Sequence, residues 1–153
     1  MSELETQSPE HVVTEFLDAL ASNDSATIER LLADDVVYVN VSLPSVRGRA
    51  RVASALGSLF RPGRLGFDVR THYLATDGDM VLTDRTDEIA FGRFAARFWV
   101  YGRFEVRDGR ITLWRDAFDW YDLMLGFTRG ALGVVVPAFN RTMPSAPAPV
   151  AVR

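Results

Sequence analysis

Met80-Val81-Leu82-Thr83-Asp84-Arg85-Thr86-Asp87-Glu88-Ile89-Ala90 alternates along an extended chain, with Val81, Thr83, Arg85, Asp87 and Ile89 on one face and Asp84, Thr86 and Glu88 on the other. The second face is the wet one, so the first turns toward a core. Runs of the same kind flank it: Leu65 to Leu74, Ala95 to Arg107 and Arg110 to Phe118. The turns Asp77-Gly78-Asp79, Phe91-Gly92-Arg93 and Asp108-Gly109 separate them. Connections this short join antiparallel neighbours.

Upstream, the apolar spacing changes from that of a strand to that of a helix. Ser8-Pro9-Glu10 reads as N-cap, first-turn proline and acidic first turn, followed by Val12, Val13, Phe16, Leu17 and Leu20, which predicts a helix to about Ser22. Asn23-Asp24-Ser25 breaks it and caps a second helix with Ile28, Leu31 and Leu32 on its buried stripe. Val36 to Ser42 reads as a strand with Val37, Val39 and Val41 on one face and Tyr38 and Asn40 on the other. A third helix runs from Arg49 to Phe60 with Val52, Leu56 and Leu59 inward, ended by Pro62-Gly63. After the strands, Trp120 to Val136 carries Leu123, Met124, Phe127 and Ala131 at helical spacing, a closing helix that Gly126, Gly130 and Gly133 weaken. Helices first and then a long antiparallel sheet make an α+β arrangement, in which the helices cover one concave face and leave a pocket.

The 153 residues, 48% of them hydrophobic, suffice for one core, assigned to a single domain over 1–137. Residues 138–153, rich in Pro and Ala, read as a disordered tail. A net charge of −3, with no basic patch, argues against a nucleic-acid partner. With no cysteine there is no disulfide, thiolate metal site or Cys nucleophile. The acidic amino terminus lacks the features of a secretory signal, and the longest apolar stretch, Ala131 to Phe139, is far short of the roughly 20 residues that span a bilayer. The expectation is a cytoplasmic chain with no membrane span.

Arg85 and Asp87 are the first candidates for chemistry. They point inward among apolar neighbours, where charge is tolerated only when paired and hydrogen-bonded. The plainer reading is an ordinary cross-strand ion pair on an exposed sheet. Asp116 lies between Trp114 and Phe118 on one face of the last strand; its plainer reading is a strand-end charge or a partner for Arg115. Its direction depends on the hairpin. A plain two-residue Asp108-Gly109 turn pairing Arg107 with Arg110 sets even positions against odd ones and sends Asp116 outward. A three-residue connection with a bulge at Gly109 shifts the register by one and sets Asp116 beside Phe98 and Val100, and this is the expected form.

Tyr38-Val39-Asn40, Arg85-Thr86-Asp87 and Trp114-Arg115-Asp116, in this order and approximate spacing, resemble the active-site set of the limonene-1,2-epoxide hydrolase family. The likeness spans roughly residues 8 to 125, including Leu20-Ala21-Ser22-Asn23-Asp24 and Asp108-Gly109-Arg110-Ile111-Thr112. It implies a fold of the nuclear-transport-factor-2 type, a cone-shaped, curved, mixed but mostly antiparallel sheet covered by about four helices. It also implies a homodimer, no metal and no cofactor. By resemblance Asp116 is the general base, Tyr38 and Asn40 help hold a water, Asp87 is the general acid and Arg85 bridges the carboxylates.

Opening an epoxide requires a nucleophile at carbon and a proton at oxygen together, which two carboxyls in opposite protonation states supply. The implied reaction adds water to a small lipophilic epoxide to give a vicinal diol, without a covalent ester. Ile89, Phe98, Val100 and Phe118 should line the pocket, with Leu123 and Phe127 at its mouth. The short Phe91-Gly92-Arg93-Phe94 turn, Ala117 and the longer carboxyl end differ from the limonene enzyme and bear on substrate size and shape. His11 and His72 have no neighbouring Ser elbow, and no His/Asp/Glu spacing suits a metal. Two other readings fit such a cone: a ketosteroid-isomerase-like or polyketide-cyclase-like enzyme with a single base, and a noncatalytic ligand-binding domain. The second carboxylate, its arginine and the Tyr/Asn pair favour hydrolysis over both.

Overall fold

The computed structural model describes residues 7–60, 63–140 and 142–144. Helix α1 (Pro9–Ser22) begins where the Ser8 side chain accepts a hydrogen bond from the His11 N–H at 3.3 Å, and it stops at Asn23, left-handed with φ 55°. Helix α2 (Ser25–Leu31) is capped by Asp24, which accepts from the Thr27 N–H. Leu32, expected on its stripe, is instead the first residue of β1 (Leu32–Asn40). Next come β2 (Val46–Arg47), α3 (Arg49–Leu59), β3 (Gly66–Asp77), β4 (Met80–Phe91), β5 (Phe94–Arg107), β6 (Arg110–Phe118) and α4 (Trp120–Val135). The two-residue β2 was not anticipated: it is too short to show alternation and exists only by pairing with Val37 and Tyr38. Pro62, read as the end of the third helix, lies outside the described residues; α3 ends at Leu59, which is 52% exposed although it faces the concave side with Leu56.

The sheet order is β2-β1-β6-β5-β4-β3, antiparallel except where β1 runs parallel to β6. This is the expected mixed, mostly antiparallel sheet, with four helices. No described helix is long and apolar enough to cross a membrane. One end of the concave face is filled by α1: Val12, Val13, Phe16 and Leu17 pack with Val81, Phe104, Val106, Ile111 and Trp114. The Phe16 ring meets those of Trp114 and Phe104 in steeply inclined, T-shaped contacts with centroids 5.1 and 6.3 Å apart.

The last hairpin departs from the expected route. Asp108 and Gly109 form a two-residue turn, both at positive φ, and Arg107 does pair with Arg110. The bulge comes two residues later. Val106 pairs with Ile111 but Glu105 with Leu113, so Thr112 is the extra residue, its hydroxyl donating to the Glu105 carbonyl at 3.2 Å. The one-residue shift therefore occurs, at Thr112 instead of Gly109, and it turns Asp116 inward opposite Gly102 rather than beside Phe98 and Val100.

Helix α4 owes its seat to the glycines that weaken it as a helix. β6 ends opposite Val100, leaving the edge of β5 beyond that point without a strand neighbour. There α4 takes over: Asp122 accepts from the Trp99 N–H at 2.8 Å, and Gly126 and Gly130 lie against the Arg97 and Ala95 carbonyls, where a Cβ would collide. The chain also stays folded past residue 137, where a tail was expected. Pro137–Phe139 form a 3-10 turn, and the Asn140 amide donates to the carbonyls of Gly133 and Arg93 at 3.2 Å each. Residues 145–153 lie outside the described residues.

Candidate active site

Strand register alone brings the candidate residues together. Thr83 pairs with Gly102, Gly102 with Asp116, and Asp116 with Asn40, so these four form one row across β4, β5, β6 and β1. The neighbouring row is Val81, Phe104, Trp114 and Tyr38. Arg85 and Asp87 follow Thr83 along the same face of β4. All five polar residues singled out in the sequence thus share the concave face.

Arg85, Asp87 and Asp116 are 0%, 5% and 5% exposed, the only buried charged residues among those described. The Arg85 Nε and one terminal nitrogen donate to the two oxygens of Asp87 at 2.8 and 3.2 Å. The same terminal nitrogen donates to Asp116 Oδ2 at 2.7 Å, and the other donates to the Thr83 hydroxyl at 3.2 Å. One guanidinium therefore ties both carboxyls together. Asn40 Nδ2 donates to the Tyr38 hydroxyl oxygen at 2.7 Å, and Tyr38 stacks on Trp114 at 4.0 Å. Asp116 Oδ1 is buried with no hydrogen-bond partner, as is Trp114 Nε1.

Burial pushes the Asp87 carboxyl up to about 6, against the charge and hydrogen bonds of Arg85, with the charge of Asp116 adding to the rise. Burial and the charge of Asp116 likewise hold the Tyr38 phenol above its ordinary value, so it remains a donor. Burial works against the charge on Arg85, but the two aspartates outweigh it and raise its pKa further. A guanidinium facing two carboxyls is electrically balanced when the group holds one proton, and the raised pKa of Asp87 marks where that proton sits most easily.

These groups open onto a cavity of about 280 Å³. Ile89, Phe98, Val100, Phe118, Leu123 and Phe127 all line it, as expected, along with Tyr38, Asn40, Asp87 and Asp116. Sequence reasoning missed Leu20 of α1, Ala55, Leu56 and Leu59 of α3, and Phe60, Phe67 and Trp114. The stripe Val52, Leu56, Leu59 marked the inner face of α3 but not that it roofs the cavity. Thr83 and Gly102 were missed as well; nothing in their own strands distinguishes them until the row is known. Among the described residues, no three His, Asp or Glu side chains gather as a metal site.

Residues 7–129 match the family profile of the limonene-1,2-epoxide hydrolase catalytic domain. Epoxide hydrolase EphG of Mycobacterium tuberculosis (strain ATCC 25618 / H37Rv) is 44% identical over 151 residues, covering 94% of this chain and 100% of that protein. The solved structure of an M. tuberculosis LEH-like epoxide hydrolase superposes with a TM-score of 0.81 at 46% identity, over 84% of this chain and 96% of that one. An NTF2-like protein from Burkholderia pseudomallei K96243 shares the fold at 17% identity, with a TM-score of 0.67 over 78% of this chain and 97% of its own. Matched from the first helix into the last, and similar across nearly all its length to an epoxide hydrolase, the chain belongs to the limonene-1,2-epoxide hydrolase family.

Proposed function

We propose that the chain adds water to a lipophilic epoxide in one step, giving a vicinal diol, with Asp116 as the base that activates the water and Asp87 as the acid that protonates the departing oxygen. The observation that carries this reading is Asp116 Oδ1, a buried oxygen with no partner on a residue that lines the cavity, while its twin is held by Arg85. A base needs one such free lone pair in a fixed direction.

The two rows together offer the rest of a water site. Tyr38 accepts from Asn40, so its own proton is free to donate, and Asn40 keeps its carbonyl oxygen as an acceptor. A water that accepts from Tyr38 and donates to Asn40 and Asp116 has one lone pair left for carbon. As the carbon–oxygen bond of the epoxide breaks and the new one forms, the water proton passes to Asp116, and the epoxide oxygen takes the proton of Asp87. Arg85 touches both carboxyls, so the net charge of the buried group is unchanged through the step.

The pH profile follows. Asp87 acts only while protonated, so kcat/KM falls as pH rises past about 6, the value to which burial pushes this carboxyl. A profile with no alkaline limb would remove Asp87 from the acid's role. Turnover in oxygen-18 water should place the label in the diol with none left in the protein after a single turnover; label retained in an aspartate would mean attack by the carboxylate itself.

A homodimer completes the proposal. Leu82, Trp99 and Tyr101 are adjacent on the outer face of the sheet and 49%, 45% and 50% exposed, a patch that a second copy would cover. Light scattering at micromolar concentration should give twice the chain mass; the mass of one chain would dismiss it.

A further inference from the structure

Arg85 and Asp116 sit on strands that are not neighbours. β4 carries the arginine, β6 the aspartate, and β5 runs between them. Adjacent strands lie about 4.8 Å apart, so the guanidinium has to pass over two strand spacings within a close-packed layer. It does so at Gly102. A Cβ built on Gly102 would lie 2.5 Å from the Thr83 hydroxyl oxygen, 2.9 Å from a ring carbon of Phe104, and in still deeper overlap with the Arg85 terminal nitrogen. Gly102 is not among the glycines with positive φ, so its backbone needs no glycine for conformation. What the position supplies is space in the middle of a central strand, where glycine otherwise weakens a sheet.

We propose that Gly102 and Thr83 are positioning residues for the reaction: the bare backbone at Gly102 is the passage through which Arg85 reaches Asp116, and Thr83 fixes the far end of the guanidinium once it is there. The passage has a floor and a wall. The Phe104 ring lies beneath the guanidinium, 5.9 Å from Cζ to centroid, and the Thr83 hydroxyl accepts from the nitrogen that makes no carboxylate contact. Arg85 thereby donates in three directions at once, to Asp87, Asp116 and Thr83. With a methyl group at position 102 it can keep Asp87, its near neighbour on β4, but not Asp116. The two carboxyls then no longer share one cation, and a buried Asp116 faces the cavity without its only partner.

This assignment rests on the proposed use of Arg85, and its test reads the contact both with and without substrate. Gly102→Ala should lower kcat by about 100-fold with KM little changed, because the cavity walls are intact while the charge balance at the floor is lost. Its loss of thermal stability should be greater at pH 8 than at pH 5, because a buried carboxyl deprived of its cation costs more ionised than protonated. A clash of packing alone would cost the same at both. A double-mutant cycle of Gly102→Ala with Arg85→Ser isolates the pair: once the arginine is shortened, the added methyl should cost little. Thr83→Val, which keeps the shape and removes the acceptor, should lower kcat about 10-fold, with Thr83→Ser restoring it. Thr83→Val gives the reading if Gly102→Ala does not fold. Additive effects in the cycle, or full activity in Thr83→Val, would overturn the assignment. A coupled cycle in a protein that forms no diol would overturn the hydrolase reading and leave the Arg85 passage standing.

Discussion

Asp116→Asn should cut kcat/KM by at least about 10³-fold while the protein stays folded. The carboxamide has the size of the carboxyl and can still present its oxygen to Arg85 where Oδ2 now lies, 2.7 Å from the guanidinium nitrogen. What then replaces the unpartnered Oδ1 is an NH₂ group, a donor where the proposed reaction needs an acceptor that can take a proton. Stability should not suffer at neutral pH. Two carboxyls now face one guanidinium, and their mutual repulsion contributes to the high pKa of Asp87; removing one charge relieves it. The expected result is therefore an inactive variant whose unfolding midpoint in urea at pH 8 equals or exceeds that of the parent. Full hydrolysis by Asp116→Asn would remove Asp116 from the base's role.

Arg85→Leu should have the largest effect on stability, a loss of about 3–5 kcal/mol at pH 8, because it leaves two buried carboxyls with no opposite charge. The sign with pH is fixed by linkage. Without the cation Asp87, which burial already pushes up to about 6, holds its proton in the folded state at pH values where the unfolded chain has already released it. Between the ordinary carboxylate value near 4 and neutrality, raising the pH thus favours the unfolded chain, and the deficit grows from pH 4 to pH 8. Urea titrations at both ends of that window measure it. Equal losses at both ends would mean that Arg85 matters only for packing. Restoring neutrality by combining Arg85→Leu with Asp87→Asn and Asp116→Asn should recover much of the stability and none of the activity.

Much of this could be read from the chain because the period of the apolar residues is long and clear in α1 and in β3 to β6, whose turns carry Gly at positive φ. The concave-face candidates were legible because a charged pair on the apolar side of a strand is costly and so conspicuous. What escaped reading depends on contacts between elements. The Thr112 bulge is a matter of which residue is squeezed out of the β5–β6 ladder, and both the Gly109 and Thr112 positions give Asp116 the same face. The α4 glycines count against a helix in isolation and become favourable only when the uncovered edge of β5 is known to lie alongside. Gly102 looks like a weak point in a strand until the arginine two strands' width from its partner is in view. The roof made by α3 and Phe67 likewise follows from tertiary packing, not from local pattern.

The cavity is hydrocarbon on its walls and polar only at its base. That contrast separates what enters from what leaves. An oxirane ring surrenders little hydration on entry, whereas a vicinal diol brings two hydroxyls, each costing about 1–3 kcal/mol wherever no partner meets it. A diol is therefore held only at the base, where Tyr38, Asn40, Asp87 and Asp116 can partner its hydroxyls, and the hydrocarbon walls offer it nothing on the way out.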